Sequence, residues 1–264
     1  MDTSSENAGK RIEGGAFARG MRFARRSVRV VGRWLSDLFL PPVCVHCGRD
    51  RWRASPLCLA CHRVIRPSQG ISPALPSDAL DARCLFTMSA PLSTLIHGFK
   101  YHHRLRHVRA LCTQLRHQSG LRAWAAGFDA MVPVPIHSVR RRERGYNQAE
   151  AIARGFAEHT GSRVLAKALR RGRPTRSQTK LNRDDRRANL AGAFTCPQAE
   201  SVRGKRILIV DDVFTTGATA EACARALRAA GAVEVALLAL ARVEAATGAG
   251  DFALEMEAIS GFAA

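Results

Sequence analysis

The sequence predicts an α/β fold, in which a domain built around a parallel sheet follows a small four-cysteine module. From residue 128 onward, apolar runs of strand length alternate with helical patterns, an order typical of parallel strands joined by helical crossovers. Ahead of that region, four cysteines lie between residues 44 and 61. Such spacing in so short a segment favours a metal-held module over a hydrophobic core of its own.

Composition narrows the expected partners. The 264-residue chain is 46% hydrophobic and carries a formal charge of +19, most of it from arginine. Because guanidinium groups match phosphate geometry, we expect phosphate-rich partners, either nucleic acid or a phosphorylated metabolite. A high-GC genome that favours arginine over lysine is the alternative explanation. No window approaches the roughly 18 apolar residues of a spanning helix, and the N-terminus lacks the apolar core of a secretory signal. We therefore expect a cytoplasmic protein with no transmembrane segment.

Shifts in composition divide the chain into six parts. The first is polar and predicted to be disordered, the second has apolar residues at helical spacing, and a Pro/Ser-rich stretch separates the cysteine module from the main domain. The predicted parts are a tail at 1–20, an amphipathic helix at 21–40, a zinc-ribbon-like module at 41–66, a linker at 67–82, the α/β domain at 83–243 and a C-terminal tail at 244–264.

Within the α/β domain, periodicity and turn residues place the elements. Strands are predicted at 82–90, 128–136, 162–169, 205–212 and 233–242, and helices at 91–118, from near Asn147 to Gly161, and from 216 to Gly231. The remaining stretch, 171–189, is polar and basic. A loop of this length inside a compact domain is usually functional or disordered.

The cysteine module has the spacing of a structural zinc site. Cys44 and Cys47 form one CxxC pair, and Cys58 and Cys61 form a second pair ten residues later. Two such pairs complete a closed tetrahedral Zn²⁺ site, and metal ligation then supplies much of the module's folding free energy. Disulfides or unrelated thiols are the alternative, which a cytoplasmic location disfavours.

Two of the other cysteines have a simpler interpretation. Cys112 and Cys223 lie in helical apolar patterns and are predicted to be buried core thiols.

The stretch "ILIVDDVFTTGAT" at 207–219 indicates the candidate ligand site. Four aliphatic residues predict a central strand, so Asp211 and Asp212 fall at its carboxyl end, the edge where open α/β sheets bind ligands. The following turn opens a helix whose free N–H groups suit a phosphate, and its glycine permits close approach. Because adjacent carboxylates repel, a ligand or cation explains them better than helix capping does. A phosphorylated sugar fits both the carboxylate pair and the phosphate-binding turn.

These motifs resemble known families. The 207–219 stretch is similar to the phosphoribosyl pyrophosphate (PRPP) motif of type I phosphoribosyltransferases, although Phe214 stands where many members carry an aliphatic residue. With the cysteine module, "GYNQAE" at 145–150 and "RSQTKLNRDDRRANLAGAF" at 176–194, the chain from about residue 35 to 242 resembles the ComF family of competence-associated and GntX-like proteins.

The resemblance implies roles for particular residues. Asp211 and Asp212 would contact the ribose hydroxyls with Mg²⁺ nearby. A group in the following turn would hold the 5′-phosphate: Thr215, Thr216, Gly217, Ala218 and Thr219. The turn at 135–138 takes the place of a pyrophosphate loop but lacks the usual glycines.

Basic segments are expected to complete this site. Arg144, Asn147 and Gln148 would add to PRPP binding, with a solvated turn and a helix cap at Asn147 as the alternative. The 171–189 loop would close as a lid, or serve as a mobile basic loop or nucleic-acid contact. As a lid, it would pair Lys180, Arg186 and Arg187 with pyrophosphate, and Lys180 and Arg187 are the catalytic candidates. Gln178 and Asn189 would fix the closed form. Lys100 and Tyr101 would add to the ligand surface or to the nucleic-acid surface.

Two functions follow from the resemblance. The first is Mg-dependent phosphoribosyl transfer from PRPP to an unidentified acceptor, associated with DNA uptake in natural transformation. The alternative is a non-catalytic, PRPP-responsive accessory protein of the competence machinery that binds single-stranded DNA. For DNA stacking the sequence offers few aromatic residues, namely Tyr101, Trp52 and Trp124. A scaffolding zinc-ribbon protein is a third interpretation.

Overall fold

The computed structural model describes residues 42–51, 55–68, 80–172, 190 and 192–243. Its main domain is a five-stranded parallel sheet with strand order β1–β7–β6–β2–β3. The strands are β1 (Ala82–Thr87), β2 (Ala130–Pro133), β3 (Arg163–Val164), β6 (Arg206–Phe214) and β7 (Glu234–Arg242). A short antiparallel ribbon pairs β4 (Arg170–Arg171) with β5 (Phe194–Thr195). The predicted α/β fold is thus confirmed.

Helices cover both faces of the sheet. They are α1 (Leu59–Val64), α2 (Ala90–Tyr101), α3 (Leu105–Cys112), α4 (Ser119–Ala126), α5 (Ser138–Arg144), α6 (Gln148–Thr160) and α7 (Ala218–Ala229), with 3₁₀ helices at Thr113–His117 and Ala199–Ser201. Within the described ranges, none of them is long and apolar enough to cross a membrane.

Strand alternation creates two cores. Leu208 and Val210 of β6 pack with α2, α3 and α6 on one face, whereas Ile207 and Ile209 pack with α7 on the other. The predicted core thiols are confirmed, because Cys112 is buried in the first core and Cys223 in the second.

Local signals placed several elements well. Helix α6 begins after Asn147, whose side chain accepts a hydrogen bond from Ala149 N, and ends at Gly161 with φ 75°. A cap at one end and a left-handed glycine at the other are sequence-readable signals. The predicted strand at 162–169 is wrong in extent, since only Arg163–Val164 pairs with β2.

The predicted helix at 91–118 is also wrong as a single element. The chain breaks at His103, whose φ is 51°, and then resumes as α3 and a 3₁₀ helix. The break folds α3 back onto α2, where a Cβ on Gly98 would lie 3.0 Å from His107 Nδ1. A larger residue at this position would require the His107 ring to shift.

The cysteine module packs against the sheet domain. Cys44, Cys58 and Cys61 share the first core with residues of α2 and β1. The chain directly after the module, predicted to be a free linker, is also attached to β1. Pro67 forms an isolated β-bridge with Phe86, and Ser68 N donates to the Leu85 carbonyl at 3.0 Å. The predicted helix at 21–40, both tails and most of the predicted linker lie outside the described residues.

Candidate functional site

The two aspartates lie inside β6, near its carboxyl end, and occupy opposite faces of the sheet. Asp212 contacts groups of α2 and α6, whereas Asp211 interacts electrostatically with Arg171 and the Cys223 region on the other side. Successive side chains of a strand point to opposite faces. The backbone therefore separates the carboxylates, and Asp211 Oδ1 accepts a hydrogen bond from Asp212 N at 2.8 Å.

A lysine from a distant helix holds Asp212. Lys100 Nζ, in the last turn of α2, lies 2.9 Å from Asp212 Oδ2, and Gln148 Nε2 lies 3.5 Å from the same oxygen. The predicted role of Lys100 was only to add positive charge to a basic surface. Its one signal was a basic residue at the end of an otherwise apolar helix.

The environment of Asp211 favours its neutral form. Burial and then the Asp212 carboxylate raise the pKa of Asp211 to about 7, against the opposing effects of Lys100 and Arg171. A carboxyl group with this pKa exchanges its proton near neutral pH. The site therefore has one carboxylate fixed by an ammonium and a second that is poised to gain or lose a proton.

Directly after β6, the chain makes the turn that is predicted to bind phosphate. Gly217 is the N-cap of α7 with φ 79°, Thr215 is exposed and Thr216 is half-buried. The first N–H groups of a helix have no intrahelical partner, and the helix dipole adds partial positive charge there. This predicted phosphate cradle lies at the same sheet edge as the aspartates.

The segment that links α5 to α6 supplies both positioning and site residues. Asn147 Nδ2 donates to the Val134 carbonyl at 3.0 Å, and its Oδ1 accepts from Ala149 N at 3.1 Å. Both polar groups of Asn147 are thus used inside the protein, which assigns it to positioning rather than ligand contact. Tyr146 OH and Gln148 Oε1 are buried beside Asp212 without a hydrogen-bond partner among the described residues. Unpartnered buried polar atoms of this kind indicate a ligand-binding place.

The other predicted site residues separate into two groups. Arg144 ends α5 and places its guanidinium 5.0 Å from the Tyr101 ring centroid, while the 135–138 turn leads into α5, capped by His137. The lid residues lie outside the described part of the chain: Gln178, Lys180, Arg186, Arg187 and Asn189. Arg171 and Tyr146 are further site neighbours without a predicted role. Their positions gave a signal, because Tyr146 precedes the predicted Asn147 and Gln148 and Arg171 begins the basic loop at 171–189.

The four module cysteines form a second centre. Their sulfur atoms all lie within 4.8 Å of one another, and the Cys47 and Cys58 sulfurs are 3.6 Å apart. A disulfide requires about 2.05 Å, whereas four sulfurs at about 2.3 Å from one ion are about 3.8 Å apart in a tetrahedron. The cluster therefore fits a four-coordinate metal ion.

Comparison with a family model agrees with this geometry. Residues 139–259 match the phosphoribosyl transferase domain, a range that includes Asp211, Asp212 and the start of α7.

Curated proteins similar to this chain come from Haemophilus influenzae, Salmonella typhimurium and Streptococcus pneumoniae. The chain is 32% identical over 162 residues to Competence protein F of Haemophilus influenzae, covering 58% of this chain and 68% of that protein. It is 30% identical over 207 residues to DNA utilization protein YhgH of Salmonella typhimurium, covering 70% and 90% respectively. Competence protein ComFC of Streptococcus pneumoniae is 32% identical over 116 residues, covering 42% and 47%.

A solved structure of a larger enzyme also matches in part. The glutamine PRPP amidotransferase of B. subtilis, complexed with ADP and GMP, is 25% identical with a TM-score of 0.33. The match covers 50% of this chain and 25% of that one.

Proposed function

Because the chain belongs to the ComF family, with a phosphoribosyltransferase-type domain, we propose that it binds PRPP with Mg²⁺ and transfers the phosphoribosyl group to an acceptor. One observation carries the proposal. The carboxylates of Asp211 and Asp212 lie at the end of a central strand that runs directly into the anion-binding start of α7. A ligand with adjacent hydroxyls and a phosphate matches this pair of features.

Each part of PRPP has a proposed place. The ribose hydroxyls would donate to Asp212. Asp211, for which the family resemblance implies a ribose contact as well, faces the other side of β6. The 5′-phosphate would accept from the N–H groups of the turn at 215–219. Gln148, with its buried unpartnered Oε1, would accept from the ligand. The oxygen donors suit Mg²⁺, which binds carboxylates together with substrate phosphates and would neutralise charge on the pyrophosphate. Lys180 and Arg187 remain proposed catalytic residues of the lid.

Lys100 would take part in ligand binding. Its ammonium lies 2.9 Å from Asp212 Oδ2, so ribose hydroxyls that donate to Asp212 would share this oxygen with Lys100. The same ammonium would add positive charge close to the anionic ligand.

Calorimetry with Mg–PRPP tests the proposal. The wild-type protein is expected to bind, and Asp212→Asn to bind at least about tenfold more weakly through loss of a charge-assisted hydrogen bond. Glu234→Gln is the matched control, since it removes a carboxylate from the exposed opposite end of the sheet. If the wild-type protein shows neither heat nor a thermal shift with Mg–PRPP, the proposal fails.

We also propose that Cys44, Cys47, Cys58 and Cys61 hold one structural Zn²⁺, as expected in the cytoplasm, where thiols stay reduced. Metal analysis of the purified protein should give one zinc ion per chain. Cys58→Ser is expected to lose the metal and to lower the stability of the fold. A metal-free wild-type protein with unchanged stability would refute the assignment.

A second candidate is a PRPP-responsive protein that binds single-stranded DNA and acts in competence. The names of the relatives refer to competence and DNA utilization, and an aromatic cluster with basic neighbours lies at the end of α2. There the ring centroid of His97 lies 4.6 Å from that of Tyr101 and 5.4 Å from that of His102. Trp124 is not part of this surface, because it packs on Phe128 and under Arg83; Trp52 lies outside the described residues.

DNA binding across a salt series separates the two candidates. If the protein contacts DNA phosphates, its affinity for DNA should fall steeply with salt. If DNA bases stack on Tyr101, Tyr101→Ala should weaken DNA binding. Pyrophosphate release with an acceptor favours the enzyme, whereas PRPP binding without turnover, together with salt-sensitive DNA binding, favours the accessory role.

A further inference from the structure

An apolar cavity opens between the cysteine module and the sheet domain. Its volume is about 370 Å³, and four of its wall residues belong to the first core. The apolar part of the wall comes from both sides, with Pro56, Leu57 and Ile65 from the module and Phe86, Leu95 and Leu111 from β1, α2 and α3.

The wall of this cavity favours an apolar occupant. Its polar groups are hydroxyls, amides and two histidines, and the described residues that line it include no lysine, arginine or carboxylate. Apolar surface also continues onto α1, where Val64, the neighbour of the wall residue Ile65, is exposed. Exposed apolar surface of this kind marks an interaction site rather than a phosphate site.

The described chain begins beside the cavity. Arg51 Nε donates to the Val43 carbonyl at 2.8 Å, and Nη1 of the same guanidinium donates to the carbonyl of Ser55, a wall residue. Val45 N donates to the carbonyl of Pro56, also in the wall, at 3.1 Å. The segment that precedes residue 42 is therefore attached close to the cavity.

That segment carries the side chains that such a cavity holds. Residues 21–40, which lie outside the described ranges, place Val31, Trp34, Leu35 and Leu38 at helical spacing, and their five arginines fall on other faces. An indole is the largest apolar side-chain group and dominates the energy of the interfaces that bury it. The sequence thus offers an apolar stripe with a tryptophan in it.

The tether makes this segment a stronger competitor than a free partner. Leu38 is five residues before Val43, a stretch that spans at most about 17 Å when extended. Pro41 and Pro42 restrict the chain between them. A short tether gives an effective concentration of about millimolar, so an untethered protein must bind the cavity far more tightly to displace the segment.

We propose that the apolar cavity is the docking site of residues 21–40 of the same chain, with Trp34 as the side chain that enters it. The docked segment contacts Leu57 of the module and Leu111 of α3, and its arginines stay in solvent. This interaction is independent of PRPP, because no residue of the cavity wall belongs to the aspartate site.

Tryptophan fluorescence of the full-length chain tests the proposal. The chain has three tryptophans, so Trp52→Phe with Trp124→Phe leaves Trp34 as the reporter. Its emission should be blue-shifted and shielded from acrylamide relative to the chain unfolded in urea. Ala110→Arg places a long cation in the wall and should remove both effects, whereas Ala229→Arg, at the exposed end of α7, is the matched control.

Two further variants protect the test against a failure to fold. Gln114→Arg repeats the wall substitution on the 3₁₀ helix at Thr113–His117, at a half-buried position. Leu38→Asp changes no described residue and should lower the ratio of docked to free segment at least about tenfold. Ser36→Asp adds the same charge on the opposite helical face and should leave the signal of Trp34 unchanged.

Four results would overturn the proposal. Trp34 that is quenched as readily in the native chain as in urea shows no docking. Shielding that survives in a folded wall variant shows that the indole is buried elsewhere. Shielding that disappears on dilution assigns the segment to the cavity of a second copy. Shielding that appears only with anionic lipid vesicles or with a single-stranded oligonucleotide assigns it to those partners.

Discussion

Replacing Lys100 with methionine removes the ammonium group that contacts Asp212 and keeps most of the apolar stem. The two side chains are mostly buried, with 18% and 10% of their surface exposed. A carboxylate left without its cation in such a place is costly, because water can solvate it only in part. We therefore expect Lys100→Met to lower the free energy of unfolding far more than the same replacement of a surface lysine would.

The geometry sets the size of this effect. At 2.9 Å, two unit charges attract by about 1.4 kcal/mol in water and by about 5.7 kcal/mol at an effective dielectric constant of 20. Burial places the pair nearer the second value, and desolvation offsets a large part of it. We expect Lys100→Met to cost about 2 to 3 kcal/mol, with a coupling of about 2 kcal/mol to Asp212.

Urea unfolding of a double-mutant cycle measures the coupling. The cycle uses Lys100→Met, Asp212→Asn and the double variant, each at pH 8 and pH 5. Lys100 is one of the groups that oppose the rise in the pKa of Asp211 to about 7. The loss of Lys100 therefore lowers the free energy of unfolding most above pH 7, where the Asp211 carboxyl is ionised. The effect is smaller at pH 5, where that carboxyl is protonated. A coupling below about 0.5 kcal/mol, or an equal cost at both pH values, refutes this account.

Three further predictions concern other parts of the domain. Burial lowers the pKa of His107 to about 4, so the folded state keeps this ring neutral while the unfolded state binds a proton below about 6.5. Stability therefore falls as pH drops from 6.5 toward 4, and urea unfolding of His107→Leu should show about 2 kcal/mol less of that loss between pH 7 and 5. A Cβ at Gly155 would lie 2.8 Å from Cys112 Sγ, so Gly155→Ala should cost about 1 to 3 kcal/mol; adding Cys112→Ala should recover part of that cost, and additive losses would contradict the packing. Gly217→Ala forces a side chain to adopt φ 79°, so it should cost about 1 kcal/mol and weaken Mg–PRPP binding by calorimetry, and an unchanged affinity would argue against the phosphate turn.

Local patterns predicted the parts of the fold that local physics determines. The apolar run of β6, the cap at Asn147 and the glycine at 161 each act within a few residues, so their sequence signals were sufficient. The break at His103 was missed because the residues on both sides favour helix. Gly98 and His107 contact each other across the break, and helix propensity does not report a side chain that folds back onto the preceding helix.

The candidate site shows the same division. The sequence indicated the two aspartates and the following turn, because strand, carboxylates and helix start are consecutive. It did not indicate that the carboxylates lie on opposite faces of β6, nor that Lys100 holds one of them. Those facts depend on how far β6 extends and on which helix packs beside it. For Asn147 the sequence left a ligand contact and a helix cap open, and the structure shows the cap, with Nδ2 donating to the Val134 carbonyl.

Helix α2 joins the two centres of the molecule. At one point Thr94 Oγ1 is 2.9 Å from His46 Nδ1 of the cysteine module, and six residues later Lys100 contacts Asp212. Six helical residues span about 9 Å, so the cysteine module and Asp212 contact the same helix less than two turns apart. Because three module cysteines belong to the core that holds α2, whatever stabilises the cysteine cluster also fixes the position of Lys100. The module is therefore part of the framework of the site, and its metal affinity and the Lys100–Asp212 coupling should change together.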